Sequence, residues 1–288
     1  MKKLDMKPNG TKGFLFTFCG LDGCGKTTML TRLKSDLEKE HGVFLTKQPT
    51  NAVRTSDIFR TYMDCPDHDA YDYRSLSLLA ASDRLQHGSR VIEPRLNKGD
   101  IVISDRYFYS CLANLRARGF ENDDWIYEIA RAVMKPDAAF FFDVPVETAV
   151  KRVRSRAAEK NRYIDMDLQY RLRTEYISIC KANGGVLIST ENSVEDCYNA
   201  VKKEVERVIK NETGKKIKGI LSELSGEKRI KNSARLQEDL VLDSLSMVTL
   251  LIEIEEQFGI ELDEKDMNPF ELTDVQSVID MVKKYGGE

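Results

Sequence analysis

The sequence predicts an α/β fold, a doubly wound parallel sheet, followed by a small all-α helical bundle. Three observations predict it. Five short, unbroken apolar runs alternate with charge-rich helical stretches, and such runs suit strands buried on both faces. Beyond about residue 212 these runs stop and amphipathic helical spacing takes over. The charge steps at the same place: residues 213–288 hold 10 Lys and Arg against 16 Asp and Glu, leaving 34 against 31 for residues 1–212. Gly214, in NETGKK, reads as a breaker. The domains are therefore read as 1–212 and 213–288.

The elements follow in order. FLFTFCG (14–20), VFLTKQP (43–49), DIVISD (100–105), AAFFFDV (138–144) and GVLIST (185–190) are the strands. Between them, 72–97 sets Leu78, Leu85 and Ile92 seven apart, which is helical spacing. The stretches 146–158, 167–182 and 193–210 are also helix-like. Alternation of this kind argues a parallel sheet covered on both faces, with ligands bound beyond the carboxyl ends of its strands. The second domain reads as helices at about 215–224, 244–258 and 274–284, with a short turn near 264–268.

Composition narrows the function. The 288 residues carry a net charge of −3, so a nucleic-acid partner is not expected. No apolar run approaches the roughly 18 residues of a membrane span. MKKLDMKPNG does not lead into a signal peptide, and the expected location is the cytoplasm. The six cysteines form no CxxC pair and no Cys/His cluster at zinc spacing, so reduced thiols are expected.

The sharpest motif closes the first strand. Gly20, Leu21, Asp22, Gly23, Cys24, Gly25, Lys26 and Thr27 fit GxxxxGK[ST], with Thr28 next. Three glycines let successive N–H groups face a polyphosphate, and the following helix N-terminus adds partial positive charge. Lys26 would reach the β/γ-phosphates and the Thr27 hydroxyl would bind Mg²⁺. At the end of a second strand, Asp105 could hold Mg²⁺ or its water, Arg106 could clamp a phosphate, and Tyr107 follows. Asp83-Arg84 brings another guanidinium. Arg152, Arg154, Arg156 and Arg162 crowd a short segment that reads either as a solvated face or as a lid delivering arginine to a transferring phosphoryl group.

Taken in order, FxFxGLDGCGKTT, the SDR segment, ISDRYxxS, FFDVP and the arginine-rich stretch resemble the thymidylate kinase family over about residues 12–210. The resemblance implies a P-loop kinase that moves the ATP γ-phosphoryl to a nucleoside monophosphate, with ADP as the other product. It implies that Asp22 organises acceptor sugar and metal, and that Arg84 and Arg106 bind the acceptor. Members of the family carry a catalytic arginine in the P-loop or in the lid. Position 23 is glycine here, so the resemblance points to Arg154 or Arg156. It also implies a possible homodimer through this domain. The departures lie at the acceptor. Lys47-Gln48-Pro49 replaces an acidic tripeptide, Ala80 replaces the aromatic residue on which thymine stacks, and Asn114 with the LRARG segment replaces an aromatic residue and a glycine-rich loop. Arg116 and Arg118 either contact an unusual acceptor or are solvated.

In the second domain, Asp243-Ser244-Leu245 opens a run in which Leu245, Val248 and Ile252 repeat at helical spacing. Alone, the tripeptide reads as an N-cap. With FGIEL at the end of the run and VQSVIDMV in the last helix, it is similar to acyl carrier protein over most of 215–285. That resemblance implies 4′-phosphopantetheine on Ser244, with a phosphopantetheinyl transferase and acyl- or aminoacyl-loading enzymes as partners. The phosphodiester would sit at a helix N-terminus, and Glu253, Glu255 and Glu256 would face basic partners. Three readings follow: a dTMP-type kinase with a tethered carrier, a kinase for a carrier-tethered or pathway-specific acceptor, and a non-catalytic nucleotide-binding scaffold.

Overall fold

The computed structural model describes residues 2–64, 71–161, 163–227, 230–268 and 271–285. Residues group into two compact units, Met1–Val205 and Glu206–Glu288. In the first, strands β1 (Leu15–Gly20), β2 (Val43–Lys47), β3 (Ile101–Asp105), β4 (Ala138–Asp143) and β5 (Val186–Ser189) form one sheet in the order β2-β3-β1-β4-β5. Every pairing is parallel. All five predicted runs are strands, and β1, at the centre, is buried at each position. The register sets Phe18 opposite Asp105 and Gly20 opposite Phe142. The ends of β1, β3 and β4 thus open together where the strand order reverses, which is where such sheets bind ligands.

Helices α1 (Lys26–Leu37), α2 (Asn51–Arg54) and α3 (Asp57–Asp64) follow β1 and β2. The predicted helix over 72–97 is α4 (Tyr73–His87), a π-helical segment Gly88–Ile92 and α5 (Glu93–Asn97). Pro94 has no amide hydrogen, and the widened turn before it absorbs the missing bond. The buried face of α4 is Leu76, Ser77, Ala80, Ala81 and Arg84, while Leu78 is exposed. α6 (Phe108–Arg116), α7 (Trp125–Ala130), α8 (Val146–Arg154) and α9 (Met166–Asn183) complete the covering layers.

Gly214 does not break the chain. A single helix, α10 (Val194–Ser225), runs through the predicted gap, and the division into two units falls inside it. Glycine in a helix interior costs about 1 kcal/mol. A Cβ there would stand 3.4 Å from Ile279 Cδ1, an ordinary contact, so packing does not demand glycine and the helix simply carries it. The second unit packs the end of α10 with α11 (Ser244–Phe258) and α12 (Val275–Lys284) around Ile217, Leu221, Leu250, Ile254, Val278 and Val282. Residues 264–268 are turn and coil without helix.

Cys19, Cys24, Cys111, Cys180 and Cys197 are free and buried, and Cys65 lies outside the described residues. Burial pushes the Cys19 thiol up to about 12. Among the described residues, no helix is long and apolar enough to cross a membrane. No group of three or more His, Cys, Asp and Glu there could hold a metal ion.

Candidate functional site

The loop after β1 turns on glycines at positive φ: Gly20 (136°), Gly23 (83°) and Gly25 (94°). Space demands glycine as well, since a Cβ on Gly23 would meet Ala149 O at 2.2 Å. α1 begins at Lys26 with no side-chain cap from Gly25, so its first amides are left for an anion. Lys26 is buried and donates to Gly20 O at 3.1 Å and Leu21 O at 2.7 Å, with Cys24 Sγ at 3.6 Å. Thr27 and Thr28 are exposed on the first turn.

Asp105 closes β3. Its Oδ2 lies 3.2 Å from Lys47 Nζ, and its buried Oδ1 has no hydrogen-bond partner among the described residues. An orphaned carboxylate oxygen suits a hard, oxygen-seeking cation, and together with the Thr27 hydroxyl it offers donors of the kind Mg²⁺ takes. Arg106 follows at φ 69°, held there by Phe18 O, which accepts its amide. Its Nη2 donates to Asp22 Oδ1 and its Nη1 to Tyr176 Oη at 3.1 Å. Burial opposes the guanidinium charge, but Asp22 and its neighbours more than offset this, so its pKa lies well above the ordinary value. Arg84 is buried, with Nη1 on Ala80 O at 2.8 Å and Nε on Tyr107 O at 3.3 Å.

Asp22, Arg84 and Arg106 line one cavity of about 190 Å³. Other predicted site residues lie elsewhere. Tyr107 turns into the core, its hydroxyl donating to Met134 O at 2.7 Å, and it serves the cavity only through the carbonyl that holds Arg84. Arg154 is exposed at the end of α8, and Arg156 lies 3.9 Å from Glu159 Oε1. Neither lines the cavity. Arg152 is tied to Thr190, at 3.2 Å to Oγ1 and 3.1 Å to O, and Arg162 lies outside the described residues.

The acceptor end differs most from expectation. Ala80 lines the cavity without a π-face, yet Phe59, Tyr62, Tyr73 and Tyr163 line it too. Phe59 and Tyr62 stand three residues apart on α3, Tyr73 lies on α4 and Tyr163 precedes α9, so the four form no contiguous motif. Tyr73, Leu76, Ala80 and Arg84 share a stripe of α4. Arg116 and Arg118 part company. Arg116 is half-buried and donates to Glu175 Oε2 at 2.7 Å, whereas Arg118 lines the cavity. Gln48 is fully buried, and neither atom of its amide has a partner among the described residues.

Ser244 opens α11 and is exposed, as attachment requires. The helix N-terminus beside it is already used: the Asp243 carboxylate accepts from Ser246 N at 2.8 Å, which holds it below the usual carboxylate range. A phosphodiester on Ser244 would therefore share that end with a negative charge. Leu245, Val248 and Ile252 face outward, Leu245 with 75% exposure, and the buried row is Met247, Leu250, Leu251 and Ile254. Val241 stands nearby at φ 52°. Of the acids, Glu255 turns to Leu262 N at 2.8 Å, and Glu253 accepts from Gln257 at 3.1 Å.

A glycine-built phosphate loop at the switch point, opening toward an arginine-lined cavity, defines a P-loop phosphotransferase. A family model described as "Thymidylate kinase" matches residues 18–201, and one described as "Phosphopantetheine attachment site" matches 215–282. The chain is 31% identical over 204 residues to a "Probable thymidylate kinase" of Thermococcus gammatolerans, covering 68% of this chain and 98% of that protein. With a "Probable thymidylate kinase" of Thermococcus onnurineus it shares 34% over 198 residues, 66% of this chain and 96% of that one. A "Thymidylate kinase" of Mycoplasma capricolum is 32% identical over 206 residues, 68% and 96%. The chain belongs to the thymidylate kinase family, a family of ATP-dependent, metal-using nucleoside monophosphate kinases, and carries a phosphopantetheine attachment domain after its kinase domain.

Proposed function

We propose that residues 1–212 transfer the γ-phosphoryl of Mg²⁺-ATP to dTMP or a related nucleoside monophosphate, and that residues 213–288 carry 4′-phosphopantetheine on Ser244, in the cytoplasm. The kinase reading rests above all on the Asp22–Arg106 bridge, which links the phosphate loop to the acceptor cavity. Lys26 and the first amides of α1 hold the β- and γ-phosphates. Thr27 and Asp105 would hold Mg²⁺, which when bound would neutralise phosphate charge. Arg84 and Arg106 fix the acceptor. An oxygen of its phosphate forms the new P–O bond, the bond from the γ-phosphorus to the β–γ bridging oxygen breaks, and ADP leaves. The attacking oxygen is already an anion, so positioning and charge neutralisation carry the step. Arg154 or Arg156 supplies the remaining positive charge from the lid.

Coupled ADP release over a panel of nucleoside monophosphates tests this, and silence with every one of them would overturn it. The loss of the aromatic face at Ala80 favours a second reading, in which the acceptor is specific to one pathway or tethered to a carrier arm. For the carrier, incubation with a phosphopantetheinyl transferase and coenzyme A should add one phosphopantetheine mass to the chain and none to Ser244→Ala. Acyl- or aminoacyl-loading enzymes are the partners this assigns.

A further inference from the structure

We infer that the acceptor is a nucleoside monophosphate whose base carries a ring-bearing substituent opposite the glycosidic bond. An aromatic box at the far end of the cavity receives that ring, and Ala80 is the residue that sets the permitted length. The inference rests on the kinase reading above and names the substrate class of the same cavity.

The two ends of the cavity differ in chemistry. At one end Asp22, from the phosphate loop, pairs with Arg106. The γ-phosphoryl arrives from that loop, so the acceptor phosphate lies at the Arg106 end and its base points away, along α4. At the other end the rings of Tyr62 and Tyr73 meet edge to face, with centroids 5.2 Å apart and planes at 87°. Phe59 stands three residues before Tyr62 on α3, shares its face of the helix and lines the cavity too. The box is held from outside. Arg118 places its guanidinium carbon 4.0 Å from the centroid of the Tyr73 ring, and Tyr62 donates its hydroxyl to Tyr71 O. Rings fixed in this way suit a flat apolar group, which packs on them by offset or edge contact.

Length decides between a plain base and an extended one. A base leaving the phosphate end first meets Arg84, whose Nε donates to Tyr107 O at 3.3 Å, next to Arg106. From Arg84 the stripe of α4 continues eleven residues to Tyr73, about 16 Å along the axis. One pyrimidine ring falls short of that distance. Ala80 and Leu76 lie between, and both line the cavity. Ala80 projects only a methyl group, so the way past it is open, and a ring-sized side chain there would close it. A substituent opposite the glycosidic bond prolongs the base in this direction and ends among Leu76, Tyr62 and Tyr73. Thymine ends before the box.

The test uses the full chain and two acceptors that differ only in the added ring, 2′-deoxycytidine 5′-monophosphate and its N4-benzyl derivative, with dTMP alongside. Turnover is read as kcat/KM from ADP release, and affinity by calorimetric titration. Both should favour the N4-benzyl compound at least about tenfold, the order expected for burying one aromatic ring against others. Ala80→Phe should bring that ratio to within about twofold of unity by filling the path, and Ala80→Ser should keep it. Tyr73→Leu should lower it several-fold. The ratio is taken within each variant, so a general loss of folding does not imitate it. Equal or better use of the plain nucleotides by the unaltered chain overturns the proposal, as does a preference that survives Ala80→Phe. If the N4-benzyl compound binds preferentially but no nucleotide yields ADP, the kinase reading fails and the aromatic box stands. If dTMP or the plain deoxycytidylate yields ADP and no preference exists, the reverse holds.

Discussion

Two helices of this chain begin where phosphate is proposed to bind or to be attached, and they are built in opposite ways. α1 is entered through glycines at positive φ, and no side chain caps it. α11 is entered past a valine at positive φ and is capped by Asp243. The first arrangement suits an anion that comes and goes, because the amides themselves must hold it. The second suits a phosphate attached covalently, because the bond does the holding and only an exposed hydroxyl is needed. Free amides serve recognition, and a capped helix with a protruding serine serves display.

The largest effect that would sharpen the contrast is at Lys26. Lys26→Ala should lower ATP turnover at least about a hundredfold, the order expected for removing a charged donor at a transferring phosphoryl group, with ADP release as the measurement. Gly23→Ala should come next, since its Cβ would collide with the Ala149 carbonyl at 2.2 Å in a positive-φ residue. A loss of about 2–3 kcal/mol in urea denaturation is expected, with nucleotide affinity falling too. At the other helix, Asp243→Ala should lower the urea-denaturation midpoint of the carrier unit, and Asp243→Asn much less. The Asp243 carboxylate titrates below its ordinary range, so its contribution is present above the unfolded-state value and fades as pH falls through the lower folded one. The gap between wild type and Asp243→Ala should accordingly narrow only in strong acid. The smallest expected effect is a gain: Val241→Gly should stabilise the carrier unit by about 1 kcal/mol by relieving left-handed strain. A carrier that loses stability on that change would break the contrast, because Val241 would then contribute more than its backbone costs.

How much was legible beforehand follows from how local each feature is. Strands β1, β3 and β4 are buried on both faces, and continuous apolar runs advertise that directly; the edge strands β2 and β5 carry the same kind of run while only partly buried. The phosphate loop is contiguous, so its residue types and their spacing sufficed to find it. Gly214 misled because one interior glycine costs a helix only about 1 kcal/mol, and the burial of Ile217, Ile220 and Leu221 just beyond it holds α10 together. The outward turn of Leu245, Val248 and Ile252 was hidden for a related reason. The helix carries apolar residues on more than one face, so spacing alone could not say which row is buried. The acceptor end was least legible. Tyr73, Arg118 and Phe59 meet through the packing of α3, α4 and the segment after α6, and nothing in their order along the chain links them.

The alignment of β1 with β3 has its own consequence. Phe18 faces Asp105, and the Phe18 carbonyl receives the amide of Arg106, so the Asp22–Arg106 bridge depends on how many residues precede it in each strand. Side chains alternate with a period of two, and a single insertion or deletion in either strand would swing the arginine to the opposite face. Substitutions among Ile, Val and Phe there leave that count intact. Length, more than composition, is what descent must preserve in these strands.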